Sequence, residues 1–453
     1  MRRPQTVIVV FVALAFLASG CAEPRPVPVA LPGSSARDAA PVLTASPAPK
    51  SEPVFAPPLS DAPAPATQPT KLLPPPPADS SASAAPPTAQ TTGAPQPAAA
   101  TAAPAPPVSA LPAFDDAMNS ILALGYPGGS LAVMSDGKLV YARGYGYAND
   151  GVPATATTRY RQASVSKAVT GSLLAKLVAS GTLSLDLKVF PFLGVAPADP
   201  RANTITVRML RDHTSGFAAD YFLFEPRKAA TFYGVASPPD PDTMVRWTAH
   251  YMLASDPGTS YKYNNTNYAI LSRVIERTTG RAWIDLVTDM ARPLGIASWR
   301  LGPSLSRPPD EARYWEAEQY KFGTSVFDIA PGTVEAPYGT YDAVLLSGAV
   351  ALVSTVVDMA RYDEAIAMGQ IPAPEVSPIP TRAGWSYTYI YNGSMPGHYT
   401  FVMRVWNGAH LVIIAGAFNH RDAGPLDGTI NQRMLDAYAA TTAWPAVDLS
   451  AKY

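Results

Sequence analysis

The chain has 453 residues, a formal net charge of −1, five histidines and one cysteine. No basic excess exists to neutralise phosphates, so nucleic acid is not an expected partner. One cysteine excludes a disulfide framework and a cysteine-rich metal site, and the histidines show no His-x-x-x-His or Glu-x-x-His spacing, so a metal-dependent mechanism is not expected.

The chain starts with basic Met1-Arg2-Arg3, an apolar run from Val7 to Leu17, and small residues Ala18-Ser19-Gly20 before Cys21. The run is short for a membrane-spanning helix and reads as a secretory signal over residues 1–21. Its ending resembles the lipobox of bacterial lipoproteins. That resemblance implies lipidation of Cys21, a membrane anchor and a place in the bacterial cell envelope, facing the periplasm or the cell surface; Ala22 after the cysteine favours an outer membrane where one exists. The alternative is a cleaved secretory peptide. Residues 22–112 are mostly Ala, Pro, Ser and Thr, with one Phe and no Tyr or Trp. Such a segment cannot bury enough apolar surface to offset its ordering entropy, so a disordered tether is expected, reaching up to about 280 Å if extended.

Residues 113–453 are rich in aromatic side chains and long enough for one large or two interleaved domains. A helix is expected from Phe114 to Leu124. A hairpin follows, Ser130–Met134 and Lys138–Tyr147, turning at Asp136-Gly137.

Next comes Tyr160-Arg161-Gln162-Ala163-Ser164-Val165-Ser166-Lys167. From Val165, apolar residues at 169, 173, 174, 177 and 178 share one helical face, and Gly181 ends the pattern. Lys167 therefore projects from nearly the same face as Ser164, one turn along. A serine hydroxyl needs a base to become nucleophilic, and a buried lysine of lowered pKa can be one. The helix N-terminus offers N–H groups to a developing oxyanion. The chemistry implied is acyl transfer through an acyl-serine. Ser135 and Lys138 repeat the spacing, but they flank the hairpin turn and have no helix to align them.

Ile205 to Phe217 reads as a short helix running into His213-Thr214-Ser215-Gly216. His213 invites a triad, although its tight turn favours a packing role. Pro257 to Tyr268 is a loop dense in tyrosine and asparagine before a helix at Ala269–Thr278. Strands are expected at Ser386–Tyr391, Tyr399–Trp406 and Leu411–Phe418, then a helix at Ile430–Ala440. Strands at both ends with helices between imply an α+β fold, with an antiparallel sheet built from both termini and a mainly helical insertion.

Taken together, Ser164-Val165-Ser166-Lys167, His213-Thr214-Ser215-Gly216, Pro257-Gly258, Tyr263-Asn264-Asn265, Gly348 to Arg361 and Gly393 to Gly397 resemble the serine β-lactamase/penicillin-binding superfamily. The branch is that of class C β-lactamases, DD-carboxypeptidases and family VIII carboxylesterases, and the likeness spans Gly128 to about His420. It implies a β-lactamase-like sheet flanked by helices as an α/β/α sandwich, with no cofactor. It also implies that Ser164 is the nucleophile, Lys167 its activating partner and Tyr263 a general base whose phenol Lys167 brings down from its usual pKa. Asn265 would bond the substrate, and the backbone N–H groups of Ser164 and Ser394 would form the oxyanion hole.

One motif departs from the family. Where relatives carry Lys-Thr-Gly, His-x-Gly or Trp-Gly-Gly, this chain has Tyr391-Asn392-Gly393. Gly393 keeps the close backbone approach, but Tyr391 replaces a cation facing a substrate carboxylate. Arg404 is a candidate substitute for that cation, or else a solvated strand arginine. The expectation is a serine hydrolase acting on esters or amides, with DD-carboxypeptidase, β-lactamase and a weakly catalytic cell-wall peptide binder as alternatives. The aromatic loops around Tyr221–Tyr233 and Tyr314–Phe322 are expected to wall the substrate site.

Overall fold

In this computed structural model residues 8–11 and 110–453 are described, apart from 330–331, 375–386, 408 and 422–425. Cys21, nearly all of the expected linker and Ser386 lie outside the described residues.

The core is a sheet in the order Tyr387–Met395, His398–Trp406, Leu411–Phe418, Gly128–Ser135, Lys138–Asn149, each pair antiparallel. Both ends of the folded region therefore build one sheet, as the strand pattern predicted. Val152–Pro153 extends one edge. On the other, Ile8–Phe11, read from sequence as part of a secretory signal, runs parallel to Tyr387–Ile390. The first hairpin turns on Asp136 and Gly137 with φ of 48° and 86°, the left-handed pair that an Asp-Gly turn supplies.

Alternation along the strands sends side chains to two cores. Leu131 and Val133 pack with Phe401, Met403 and Ile414 against the helices Pro112–Leu122 and Leu426–Ala440. Ala132 and Met134 face the opposite way with Val402, Ile413 and Ala415, under the helices Val356–Ala367 and Ser166–Ala179. Each fully buried aliphatic side chain is worth about 1.5–3 kcal/mol. The sandwich follows from a two-residue period laid between two amphipathic layers.

The second layer continues into short helices: Val207–Arg211, Tyr221–Phe224, Pro226–Tyr233 and Pro241–Thr248, then the long Asn265–Thr279. This last helix begins four residues before the expected Ala269. Asn264, in extended conformation, accepts the Thr266 N–H at 2.8 Å, so the polar loop itself caps the helix. A small sheet of Tyr160–Arg161, Leu352–Ser354 and Arg300–Leu301, which the sequence did not suggest, braces the base of the nucleophile turn.

Candidate active site

The site sits where the turn after Tyr160–Arg161 meets the edge strand Tyr387–Met395. Ala163 takes φ of 43° with its side chain fully buried, a strained backbone that costs about 1–3 kcal/mol at a non-glycine residue. The turn leads through the short helix Ala163–Val165 into Ser166–Ala179, so Ser164 stands at a helix start as the spacing implied. Thr400 Oγ1 donates to the Gln162 carbonyl at 2.9 Å and ties the turn to the sheet. Gly393 lies hard against it: a Cβ there would stand 2.3 Å from Gln162 O and 2.9 Å from Ser164 N. Only glycine lets the strand approach the nucleophile this closely. Ser394 follows, half-buried, on a stretch of edge where, among the described residues, no strand pairs beyond Ile390.

Lys167 and Tyr263 converge on Ser164. The Lys167 amine is 3.2 Å from Ser164 Oγ, and the Tyr263 hydroxyl donates to the same oxygen at 2.8 Å. Lys167 also donates to Asn265 Oδ1 at 2.6 Å and to the Ala349 carbonyl at 3.0 Å. Burial pushes the amine's pKa down to about 7, against the attraction of the Asp220 carboxylate, so near neutral pH it is poised between ammonium and free base.

Tyr263 and Asn265 meet surroundings that the resemblance did not imply. Lys167 does not bring the Tyr263 phenol down. Burial raises that phenol above its usual range, opposed by the Ser164 hydrogen bond, and the lysine lies over the ring face, 4.9 Å from the centroid. Tyr263 is thus held as a phenol donating to Ser164 Oγ, while the same burial eases the proton off the Lys167 amine. Asn265 is also largely committed within the protein. Its Oδ1 serves Lys167 and its Nδ2 donates to Asp220 at 2.6 Å, which leaves one Nδ2 hydrogen for a substrate.

His213 is a packing residue. Its ring lies 4.5 Å from that of Tyr263, tilted by 30°, and its Nδ1 accepts the Asn264 N–H at 3.3 Å. Burial and the nearby lysine push its pKa down to about 3, so it stays neutral. Arg404 is neither solvated nor available to a substrate carboxylate. It is fully buried, donating to both oxygens of Asp363 at 3.0 and 2.5 Å. Tyr391 is 5% exposed and belongs to the larger apolar core. Asp220, whose carboxylate anchors Asn265 and Thr266, escaped sequence reasoning, as did the Ala349 carbonyl.

The family described as Beta-lactamase matches residues 113–437. The chain belongs to that family. Penicillin-binding protein 4 from Amycolatopsis lactamdurans is 33% identical over 237 residues, covering 49% of this chain and 57% of that protein. A D-aminopeptidase from Cereibacter sphaeroides is 32% identical over 217 residues, covering 46% of this chain and 39% of the relative. The chain thus matches less than two thirds of the length of these curated relatives. Among solved structures, D-amino acid amidase from Ochrobactrum anthropi SV3 superposes with a TM-score of 0.57 at 21% identity, covering 73% of this chain and 99% of that one. EstCE1, a hydrolase with promiscuous acyltransferase activity, gives 0.54 at 18%, covering 72% and 97%. These two share the β-lactamase-like fold.

Proposed function

We propose that the protein is a serine hydrolase that turns over neutral esters or amides through an acyl-Ser164 intermediate. The observation that carries this is the convergence of a base and a proton donor on one hydroxyl: Lys167 at 3.2 Å and Tyr263 at 2.8 Å from Ser164 Oγ. Lys167 takes the Ser164 proton as Oγ attacks the substrate carbonyl carbon. The resulting oxyanion lies between the N–H groups of Ser164 and Ser394. As the tetrahedral intermediate collapses, Tyr263 gives its proton to the leaving alcohol or amine and is reprotonated at the expense of the Lys167 ammonium. Water then repeats the sequence on the acyl-enzyme, releasing the acid and restoring Ser164.

The preference for neutral substrates rests on the edge strand. Its sequence from Tyr387 to Met395 contains no lysine or arginine, and Arg404 on the next strand is spent on Asp363. A charge-assisted bond to a substrate carboxylate, about twice as strong as a neutral one, is therefore missing from this strand. Exposed aromatic surface beside the catalytic loop suits an apolar substrate group instead. Tyr261 is 60% exposed with its ring edge-on to His213, and Phe224 is 59% exposed at the end of the helix that follows Asp220. The D-aminopeptidase and amidase likenesses favour amides as the second substrate class.

Intact-protein mass spectrometry after a fluorophosphonate probe, a fluorescent penicillin and p-nitrophenyl butyrate tests the reading. The expected result is a stoichiometric fluorophosphonate adduct on Ser164, lost in Lys167→Ala, with the ester turned over faster than the penicillin acylates. A folded protein that reacts with none of the three reagents would make a peptide-binding role the better account. The proposal extends to the front of the chain: Cys21 becomes the lipidated N-terminus that anchors the hydrolase in the cell envelope, and the Ile8–Phe11 strand leaves the sheet with the cleaved signal. The mass of the N-terminal peptide from membranes, with or without a diacylglyceryl group, decides that point.

A further inference from the structure

The Lys167 amine meets three oxygens: Asn265 Oδ1 at 2.6 Å, the Ala349 carbonyl at 3.0 Å and Ser164 Oγ at 3.2 Å. The amide and peptide carbonyls can only accept. A neutral amine has two N–H bonds and one lone pair. With both hydrogens on carbonyl oxygens, the lone pair is left for the Ser164 hydroxyl, which is the direction a base requires. This depends on which way the Asn265 amide faces. A flipped amide would present Nδ2–H to the amine and draw the lone pair away from Ser164.

Asp220 sets that direction. It stands at the start of the helix Tyr221–Phe224, yet its side chain makes no capping bond there. The carboxylate reaches instead to the start of Asn265–Thr279. Oδ2 accepts the Asn265 backbone N–H at 3.1 Å and Nδ2 at 2.6 Å, while Oδ1 accepts the Thr266 N–H at 2.8 Å and Oγ1 at 3.1 Å. Four donors at a helix N-terminus hold it as a carboxylate against the burial that raises its pKa. A carboxylate has no hydrogen to give, so Asn265 must turn Nδ2 towards it and Oδ1 towards Lys167.

We propose that Asp220 is a positioning residue of the reaction: by fixing the Asn265 amide it aims the Lys167 lone pair at Ser164. The inference rests on the acyl-enzyme reading above. Among the described residues, the other titratable groups facing Lys167 are the rings of Tyr263 and Tyr268, 4.9 and 5.9 Å away, and the neutral His213. Among the described groups around the amine, Asp220 is the anionic one acting on it, and its charge favours the ammonium. Removing that charge lowers the lysine's pKa further while freeing the amide to flip.

The test is the pH profile of kcat/KM for p-nitrophenyl butyrate in the full-length protein, comparing wild type, Asp220→Asn and the exchange variant D220N/N265D, with thermal unfolding measured beside it. D220N is expected to lose about tenfold or more in kcat with little change in KM, and to shift the acid limb to lower pH. The exchange variant restores a pure acceptor opposite Lys167, with the residue at 220 now donating. It is expected to regain several-fold over D220N, with its acid limb moved to higher pH because the charge touches the amine. A D220N enzyme with the wild-type rate and acid limb would overturn the proposal. So would a folded exchange variant no better than D220N at any pH, since a merely structural carboxylate gives neither the recovery nor the opposed shifts. Absence of any Ser164 adduct in the wild type would instead sink the acyl-enzyme reading itself.

Discussion

Lys167 lies over the face of the Tyr263 ring, 4.9 Å from its centroid, while both side chains reach the same Ser164 oxygen, the amine at 3.2 Å and the phenol at 2.8 Å. One enclosure shifts the two groups in opposite senses. Burial disfavours charge, so the amine loses its proton more easily and the phenol holds its own more tightly.

The pH dependence follows with a definite sign. The amine acts as a base only when deprotonated, and burial sets its pKa at about 7. Activity is therefore expected to fall as pH drops through about 7 and to level off above it. Lys167→Ala should lower kcat by about 10²–10⁴-fold and abolish that limb. A kcat/KM profile with p-nitrophenyl butyrate measures both. His213 cannot supply the limb, because its pKa is pushed down to about 3.

Tyr263→Phe removes the proton donor and keeps the ring stacked on His213, whose centroid is 4.5 Å away. Expulsion of a poor leaving group then suffers most. The expected loss in kcat is about 10²-fold or more for an amide or alkyl ester, and much less for p-nitrophenyl esters, whose leaving group needs no proton. Comparing the two leaving groups in wild type and variant isolates the donor role. Equal losses on both would return Tyr263 to the position of general base.

Much of the site was legible because its signals are local. Ser164 and Lys167 lie one helical turn apart, and Tyr263 precedes a helix whose cap is written in Asn264. The sheet was legible because alternation survives at both ends of the folded region. What stayed hidden acts across sequence. Asp220 lies in a stretch with no period, 45 residues from the Asn265 it orients. The Ala349 contact is a backbone carbonyl, which no side-chain pattern reports. Arg404 did carry a signal: with Val402 two residues before it in the strand, alternation places it on the core side, where a charge needs a partner.

Gly393→Ala tests the close approach of the strand. The added Cβ would meet Gln162 O at 2.3 Å and Ser164 N at 2.9 Å, both backbone atoms that cannot swing aside. The strand must move away from the nucleophile and carry the Ser394 N–H with it. Losing one oxyanion donor lowers kcat by about 10²–10³-fold. Fluorophosphonate labelling should slow in parallel while the unfolding temperature changes little.

Asp363 holds Arg404 out of the site. Both side chains of Arg404 and Asp363 are 0% exposed, and the guanidinium meets both carboxylate oxygens. Removing one partner strands a buried charge, so Arg404→Met should destabilise the fold by about 3–5 kcal/mol. Replacing the pair with apolar side chains, as in R404M/D363L, removes both desolvation penalties and should recover most of that loss. Chemical denaturation of the two variants measures the difference. The same proteins also test substrate recognition: the double variant should discriminate between carboxylate-bearing and neutral esters as the wild type does. A selective rise in KM for the carboxylate substrate would show that Arg404 leaves Asp363 to bind it, and would reopen peptide carboxylates as the natural substrate class.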